Sequence, residues 1–118
     1  MKLGAWGEMR AALYLEKHGF TVLERNYRCR VGEIDIIALK GKVLTFVEVK
    51  TRSDFRLALP CESVTEEKRR RIQKAADSYI MESARADGTR ETIGFRFDVI
   101  EILVLNEKTW LRHMTDAF

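Results

Sequence analysis

Asp35, Glu48 and Lys50 are the residues whose types and spacing most directly imply chemistry. Glu48 and Lys50 stand two apart in Val43-Leu-Thr-Phe-Val-Glu-Val-Lys50, and Asp35 lies in the preceding run Glu33-Ile-Asp-Ile-Ile-Ala-Leu39. Side chains alternate between the two faces of a strand. Glu48 and Lys50 therefore share a face with Phe46 and Arg52, and Asp35 shares one with Glu33 and Ile37, with Ile34, Ile36 and Ala38 opposite. Carboxylates set against one another in a sheet repel, and burying an uncompensated one costs several kcal/mol. A divalent cation removes the conflict. Mg²⁺ (or Mn²⁺) is commonly held by one or two carboxylates with waters and phosphate oxygens. An ammonium beside it can stabilise charge building on an attacked phosphorus and help orient the attacking water. The chemistry implied is phosphodiester hydrolysis, with Asp35 and Glu48 as metal ligands and Lys50 as the charge-stabilising group.

The two runs must then be neighbouring strands. Lys40-Gly41-Lys42 is short enough for a hairpin, and a type II′ turn, which prefers glycine first, closes it through Gly41-Lys42. That register sets Asp35 across from Glu48 and Glu33 across from Lys50, with partner Cβ atoms about 4.5–5.5 Å apart. A slip of one residue would put Asp35 on the wrong face. The plainer alternative is a solvated strand face with an ordinary Glu33–Lys50 ion pair.

The remaining elements frame this hairpin. Ala5, Met9, Ala12 and Leu13 recur at helical spacing from about Ala5 to Lys17, and Gly19 is placed as a C-cap glycine. Phe20 to Tyr27 alternates as a first strand. Thr51 to Val64 reads as a loop into a long helix capped by Thr65 or by Ser63, the latter in a Ser-x-x-Glu box with Glu66. Ile72, Ala75, Ala76, Tyr79, Ile80 and Ser83 trace the apolar face of that helix, and Ala86-Asp-Gly-Thr ends it. Phe95 to Leu105 and Thr109 to Met114 are two more strands. Helix, three strands, helix, two strands predicts an α/β fold, a central mixed sheet flanked by helices, in one domain over residues 1–118.

Composition limits the alternatives. A chain of 118 residues can remove roughly two thirds of its unfolded surface from water without a metal staple or disulfide. Lys and Arg outnumber Asp and Glu 21 to 18, a mild excess whose distribution matters more than its size. Cys29 and Cys61 lack C-x-x-C spacing, which argues against zinc and for a reducing compartment. With no signal peptide at Met1 and no membrane-length apolar run, a cytoplasmic location is expected. There is no glycine-rich phosphate loop for ATP. His18 and His113 stand alone in sequence, where surface or capping roles are expected, and Trp6 and Trp110 read as core or interface residues.

An acid, then a strand carrying (Asp/Glu)-x-Lys, then a helix resembles the PD-(D/E)XK nuclease superfamily. More narrowly, Gly7-Glu8…Ala12-x-Tyr14-Leu15, Gly19-Phe20, Arg25-Asn26-Tyr27-Arg28, Gly32-Glu33-Ile34-Asp35 and Phe46-Val-Glu-Val-Lys-Thr-Arg52 are similar to the YraN family. So are Val64-Thr65-x-x-Lys68, Arg96-Phe97-Asp98-Val99 and the terminal Ala117-Phe118, so the similarity covers nearly the whole chain. That family is described as predicted endonuclease-like, similar in fold to Holliday-junction resolvases. The resemblance implies a restriction-endonuclease-like core, metal ligation by Asp35 and Glu48 with the Val49 carbonyl close by, and a catalytic Lys50. It also implies a site role for Glu8, which a helical wheel puts on the buried arc between Ala12 and Leu15, an arc that also holds Glu16. Two features depart from the pattern. Asp54 to Pro60 lacks the glycine expected in its loop, and Gln73 and Tyr79 do not form the Gln-x-x-x-Tyr of some nuclease relatives.

Basic residues supply the substrate surface. Lys68-Arg-Arg-Arg71 opens the second helix, where cations oppose the helix dipole unless an anion is near. Lys68 and Arg69 fall on its sheet side, Arg52 continues the Glu48–Lys50 face, and Arg25, Arg28 and Arg30 extend a surface that could follow a nucleic-acid backbone. The leading expectation is a Mg²⁺-dependent endonuclease acting on DNA, branched or structured forms included, with Glu8, Asp35, Glu48 and Lys50 catalytic and Arg30, Arg52, Lys68 and Arg69 contacting DNA. A homodimer is expected by analogy with resolvases. The alternative from another class is a nucleic-acid-binding or partner-docking module that keeps the fold and performs little chemistry alone.

Overall fold

The computed structural model describes residues 3–53, 64–86 and 92–118. The proposed Ser63 cap, Pro60, Cys61, the Asp54 to Pro60 loop and the Asp87-Gly-Thr helix stop lie outside the described residues. The chain runs α1 (Leu3–Lys17), β1 (Thr21–Cys29), β2 (Gly32–Lys40), β3 (Val43–Arg52), α2 (Glu66–Ala86), β4 (Gly94–Leu105) and β5 (Lys108–Met114). The five strands form one sheet in the order β1-β2-β3-β4-β5. β3 and β4 are parallel, joined across α2, and every other neighbouring pair is antiparallel. This is the mixed sheet between helices that the residue pattern and the resemblance both imply.

The two helices cover opposite faces. On one, Ala11, Ala12 and Leu15 of α1 pack on Ile36, Ala38, Val47, Val49, Ile100 and Ile102. On the other, Ile72, Ala75, Ala76 and Tyr79 of α2 pack on Ile37, Leu44, Phe46 and Val99. β3 and β4 are covered on both faces, which is why their sequences are nearly continuous apolar runs.

The elements end where local chemistry stops them. Gly19 has φ 87°, with Phe20 N–H donating to Leu15 O and Gly19 N–H to Glu16 O, a Schellman closure of α1. Thr65 caps α2 by accepting Lys68 N–H at Oγ1 (3.2 Å). The β2–β3 turn has Gly41 at φ 60° with Lys42 outside the left-handed region, as a type II′ turn requires. Asn106 and Glu107 both take positive φ, the type I′ pattern, between paired Leu105 and Lys108.

The apolar face expected for α1 needs correction. Ala5 is exposed, Leu13 is 48% exposed, and the buried stripe is Gly7, Ala11 and Leu15 with Ala12. The cause is a close approach that apolar spacing does not report. A Cβ on Gly7 would lie 1.7 Å from Thr51 Oγ1, so the missing side chain lets α1 rest directly on β3 and fixes its rotation. Gly7→Ala should lower unfolding stability by about 1–3 kcal/mol through overpacking, measured by urea denaturation, whereas Leu13→Ala should cost far less. The same rotation leaves Glu16 in solvent and half-buries Glu8.

Candidate active site

The hairpin register is the expected one. Lys40 pairs with Val43, Leu39 with Leu44, Ala38 with Thr45, Ile37 with Phe46 and Ile36 with Val47. The ladder stops there, one step before Asp35 and Glu48. From that point the strands part, and the Asp35 carboxylate itself accepts the Val49 backbone N–H at 2.8 Å. A side chain thus satisfies the donor that further ladder pairing would have turned towards β2.

Three backbone irregularities accompany the parting of the strands, two of them where the ladder stops. Asn26 of β1 falls between the pairs Arg25–Ile36 and Tyr27–Ile34, directly opposite Asp35, and adopts φ 54°. The register of the same strand pair also shifts between Val22 and Glu24. At the start of β2, Gly32 lies against α2, where a Cβ would come 2.9 Å from Arg71 O. Beyond this kink the alternation changes phase. Ile34 joins the α2-side cluster with Ile37, Tyr27 and Cys29, not Ile36 and Ala38 as simple alternation predicts.

Asn26, opposite Asp35 with a positive φ, is a residue that apolar patterning passes over. Its only sequence signal is that Asn tolerates the left-handed region better than other non-glycine residues. Asn26→Gly should therefore keep the fold and the spacing of the acids. Asn26→Ala should cost about 1–2 kcal/mol and loosen the Asp35–Val49 bond, read as faster exchange of the Val49 amide.

Glu48 is buried on the α2 side of β3, between two ammonium groups. Lys68 Nζ of α2 lies 2.5 Å from Glu48 Oε1, and Lys50 Nζ lies 3.5 Å from the same oxygen. Burial, then the neighbouring charge of Glu48, with a smaller contribution from Glu8, pushes the Asp35 carboxyl up to about 8, despite its bond from Val49 N–H. Lys50 is lowered by burial and by adjacent Lys68, with Glu48 opposing. Burial lowers Lys68 too, but its contacts with Glu48 and Lys50 outweigh it and leave Lys68 raised. The site therefore favours the ammonium on Lys68 over that on Lys50.

A cleft of about 660 Å³ opens on Asp35, Glu48 and Lys68, while Lys50 and Glu8 are not among its lining residues. Arg28 at the end of β1, Arg30 in the β1–β2 turn and Arg71 of α2 also line it. The Glu33–Lys50 ion pair of the plainer alternative does not form. Glu33, largely exposed, meets Arg28 at 3.4 Å instead. Of the proposed DNA contacts, Arg30 and Lys68 line the cleft and Arg52 and Arg69 do not. Arg52 Nε lies 3.4 Å from buried Glu101 Oε2, whose other oxygen accepts from Arg112, and the Arg69 guanidinium covers the Phe118 ring at 5.6 Å. Among the described residues, no three His, Cys, Asp or Glu side chains converge to hold a metal.

His113 departs from its expected surface role. Its ring is 9% exposed, with Nε2 2.7 Å from Asp98 Oδ2 and Nδ1 3.1 Å from the Tyr14 hydroxyl. His18 does cap α1, with Nδ1 2.8 Å from Tyr14 O. Trp110 is 46% exposed and so is not a core residue, and no described helix is long and apolar enough to cross a membrane.

Comparison with known proteins identifies the relatives of the chain. It is 43% identical over 116 residues to a UPF0102 protein of Geobacter metallireducens, covering 98% of this chain and 91% of that protein. It is 46% identical over 122 residues to one of Chlorobium phaeobacteroides, covering 98% and 92%. Among solved structures, the Holliday junction resolvase Hjc of Archaeoglobus fulgidus matches with a TM-score of 0.48 at 20% identity, over 92% of this chain and 72% of that one. The model of the Uncharacterised protein family UPF0102 matches residues 7–102, and the chain belongs to that family.

Proposed function

We propose that the protein is a divalent-metal-dependent endonuclease acting on DNA, branched or structured forms included. The observation that carries this reading is the Asp35–Glu48 pair. Two carboxyl groups, one half-buried and one buried, are brought together by a splayed hairpin, with the Asp35 charge suppressed by its neighbour. Such a pair is costly to maintain for stability alone. Its donors fit a hard cation, with two carboxylates and the Val49 carbonyl beside Glu48 as oxygen ligands and open cleft for waters and a phosphate oxygen. A Mg²⁺ or Mn²⁺ ion held there would supply a polarised phosphate and an acidified water.

The residues around the pair have distinct tasks. Lys50 can donate to a non-bridging oxygen as negative charge grows on the phosphoryl group. Glu8, close enough for its charge to be felt at Asp35, can orient water on the α1 side. Lys68 can exchange Glu48 for a substrate phosphate, while Arg28, Arg30 and Arg71 follow the backbone.

A second reading has its own support. Lys68 and Lys50 already compensate Glu48 without a metal, as a binding or docking module with this fold would need. Cleavage of branched and linear DNA in Mg²⁺ or Mn²⁺ separates the two. Wild type should cut, while Asp35→Ala and Lys50→Ala should not. Equal residual cutting by all three would point to a contaminant and leave the binding module standing.

A further inference from the structure

The opposite face of the sheet carries another cleft, of about 430 Å³, beyond the C-terminal end of α1. Tyr14 and His18 of α1, Phe20, Lys40 at the end of β2, Val43 and Thr45 of β3, Arg96 of β4, and His113 and Thr115 line it. Among the described residues no carboxylate does. Wholly buried Asp98 accepts from Arg96 Nε and Nη2, His113 Nε2 and the Asp116 N–H. These bonds hold Asp98 below its usual range although burial opposes ionisation.

The arrangement leaves donors facing outward. Asp98 engages two N–H groups of Arg96, and a guanidinium has five. Lys40 Nζ is held 5.2 Å over the Phe20 ring, which fixes an ammonium at the rim. Three of the carbonyls ending α1, whose partial negative charge disfavours an anion, already accept hydrogen bonds. Tyr14 O and Leu15 O accept from His18 and Phe20, and Glu16 O accepts from Gly19. Phe20 and Val43 add an apolar strip, and the volume lies in the range of small-ligand sites.

We propose that this cleft binds a phosphomonoester, its phosphate between Lys40 and Arg96 and its organic part over Phe20 and Val43. The Thr115 hydroxyl is a further donor, the Tyr14 hydroxyl is engaged with His113 Nδ1, and buried Asp98 is the positioning residue that sets Arg96. The site is separate from the Asp35–Glu48 group and does not depend on a nuclease reading.

Two-dimensional amide NMR of the full chain, titrated with inorganic phosphate and with deoxyadenosine 5′-monophosphate, tests it. Saturable shifts should localise to Tyr14, Lys40 and Thr115. Lys40→Met should weaken binding by about fivefold or more, while Lys108→Met, on an exposed lysine elsewhere, should not. Tighter binding of the mononucleotide than of phosphate would identify a free nucleotide as ligand. Binding by a 5′-phosphorylated oligonucleotide but not its 5′-hydroxyl form would identify a strand end. Absence of saturation with both small probes, or equal weakening by both lysine substitutions, would overturn the proposal.

Discussion

Asp35→Asn is expected to abolish cleavage and at the same time make the metal-free protein more stable at pH 8. The Asn amide can still accept the Val49 N–H and no longer opposes Glu48 with a charge. The pH dependence follows from the shift. The Asp35 carboxyl moves from 3.8 to about 8 on folding, so between those values the native state holds a proton that the unfolded chain has lost. Its effect on stability is therefore most favourable below about pH 4 and is lost as pH rises through 8. Thermal melts in chelator should show wild type losing stability over that interval and Asp35→Asn following a flatter curve. If the acids hold a cation as proposed, saturating Mg²⁺ should reverse the order at pH 8, because it would stabilise the native wild type only. At pH 7 the raised Asp35 carboxyl still holds its proton in most metal-free molecules. Metal binding should then release protons, and apparent affinity should rise from pH 6 to 8. Cleavage by Asp35→Asn should fall at least about 10²-fold at saturating DNA.

On the proposed reading, Lys50→Met should lower kcat by about 10²–10³ while leaving metal affinity within a few-fold, because the ammonium would act on charge that exists only during the reaction. Lys68 remains 2.5 Å from Glu48, so the variant keeps a cation against the buried carboxylate and should fold. Single-turnover cleavage alongside calorimetric metal titration separates the two effects. A parallel loss of metal affinity and rate would instead make Lys50 a structural counter-ion.

Much of this site could be read from residues that act locally. Gly41 dictates the turn, the turn dictates the register, and the register brings Asp35 to Glu48. The sheet-facing stripe of α2 was legible for the same reason, since Ile72, Ala75, Ala76 and Tyr79 follow helical spacing without interruption. What stayed hidden depends on contacts between distant segments. Gly7 carries no hydrophobic signal, yet its approach to Thr51 sets the rotation of α1 and distinguishes Glu8 from Glu16. Asn26 opposite Asp35 is a backbone effect inside an otherwise ordinary strand. Arg52 extends the Glu48 face as alternation requires, but alternation cannot foretell that parallel β4 brings Glu101 beside it. His113 looked solitary because its partners, Tyr14 and Asp98, are remote in sequence.

Charge runs show the same division. Lys68-Arg-Arg-Arg71 reads as one basic patch, but the helix deals its members to different surroundings. Lys68 reaches Glu48 and Arg69 covers Phe118, while Arg70 and Arg71 form exposed ion pairs with Glu66 and Glu67 one turn earlier. Exposed pairs of this kind contribute little to stability. Lys68 is the member that touches a site carboxylate, and Arg71 lines the same cleft.

Paramagnetic broadening by Mn²⁺ in amide NMR spectra reports directly whether a cation sits between Asp35 and Glu48. Substoichiometric Mn²⁺ at pH 8 should erase the Asp35, Glu48 and Val49 resonances of wild type first and spare them in Asp35→Asn. Broadening that misses those three amides, or is unchanged in the variant, would contradict a cation site between these acids.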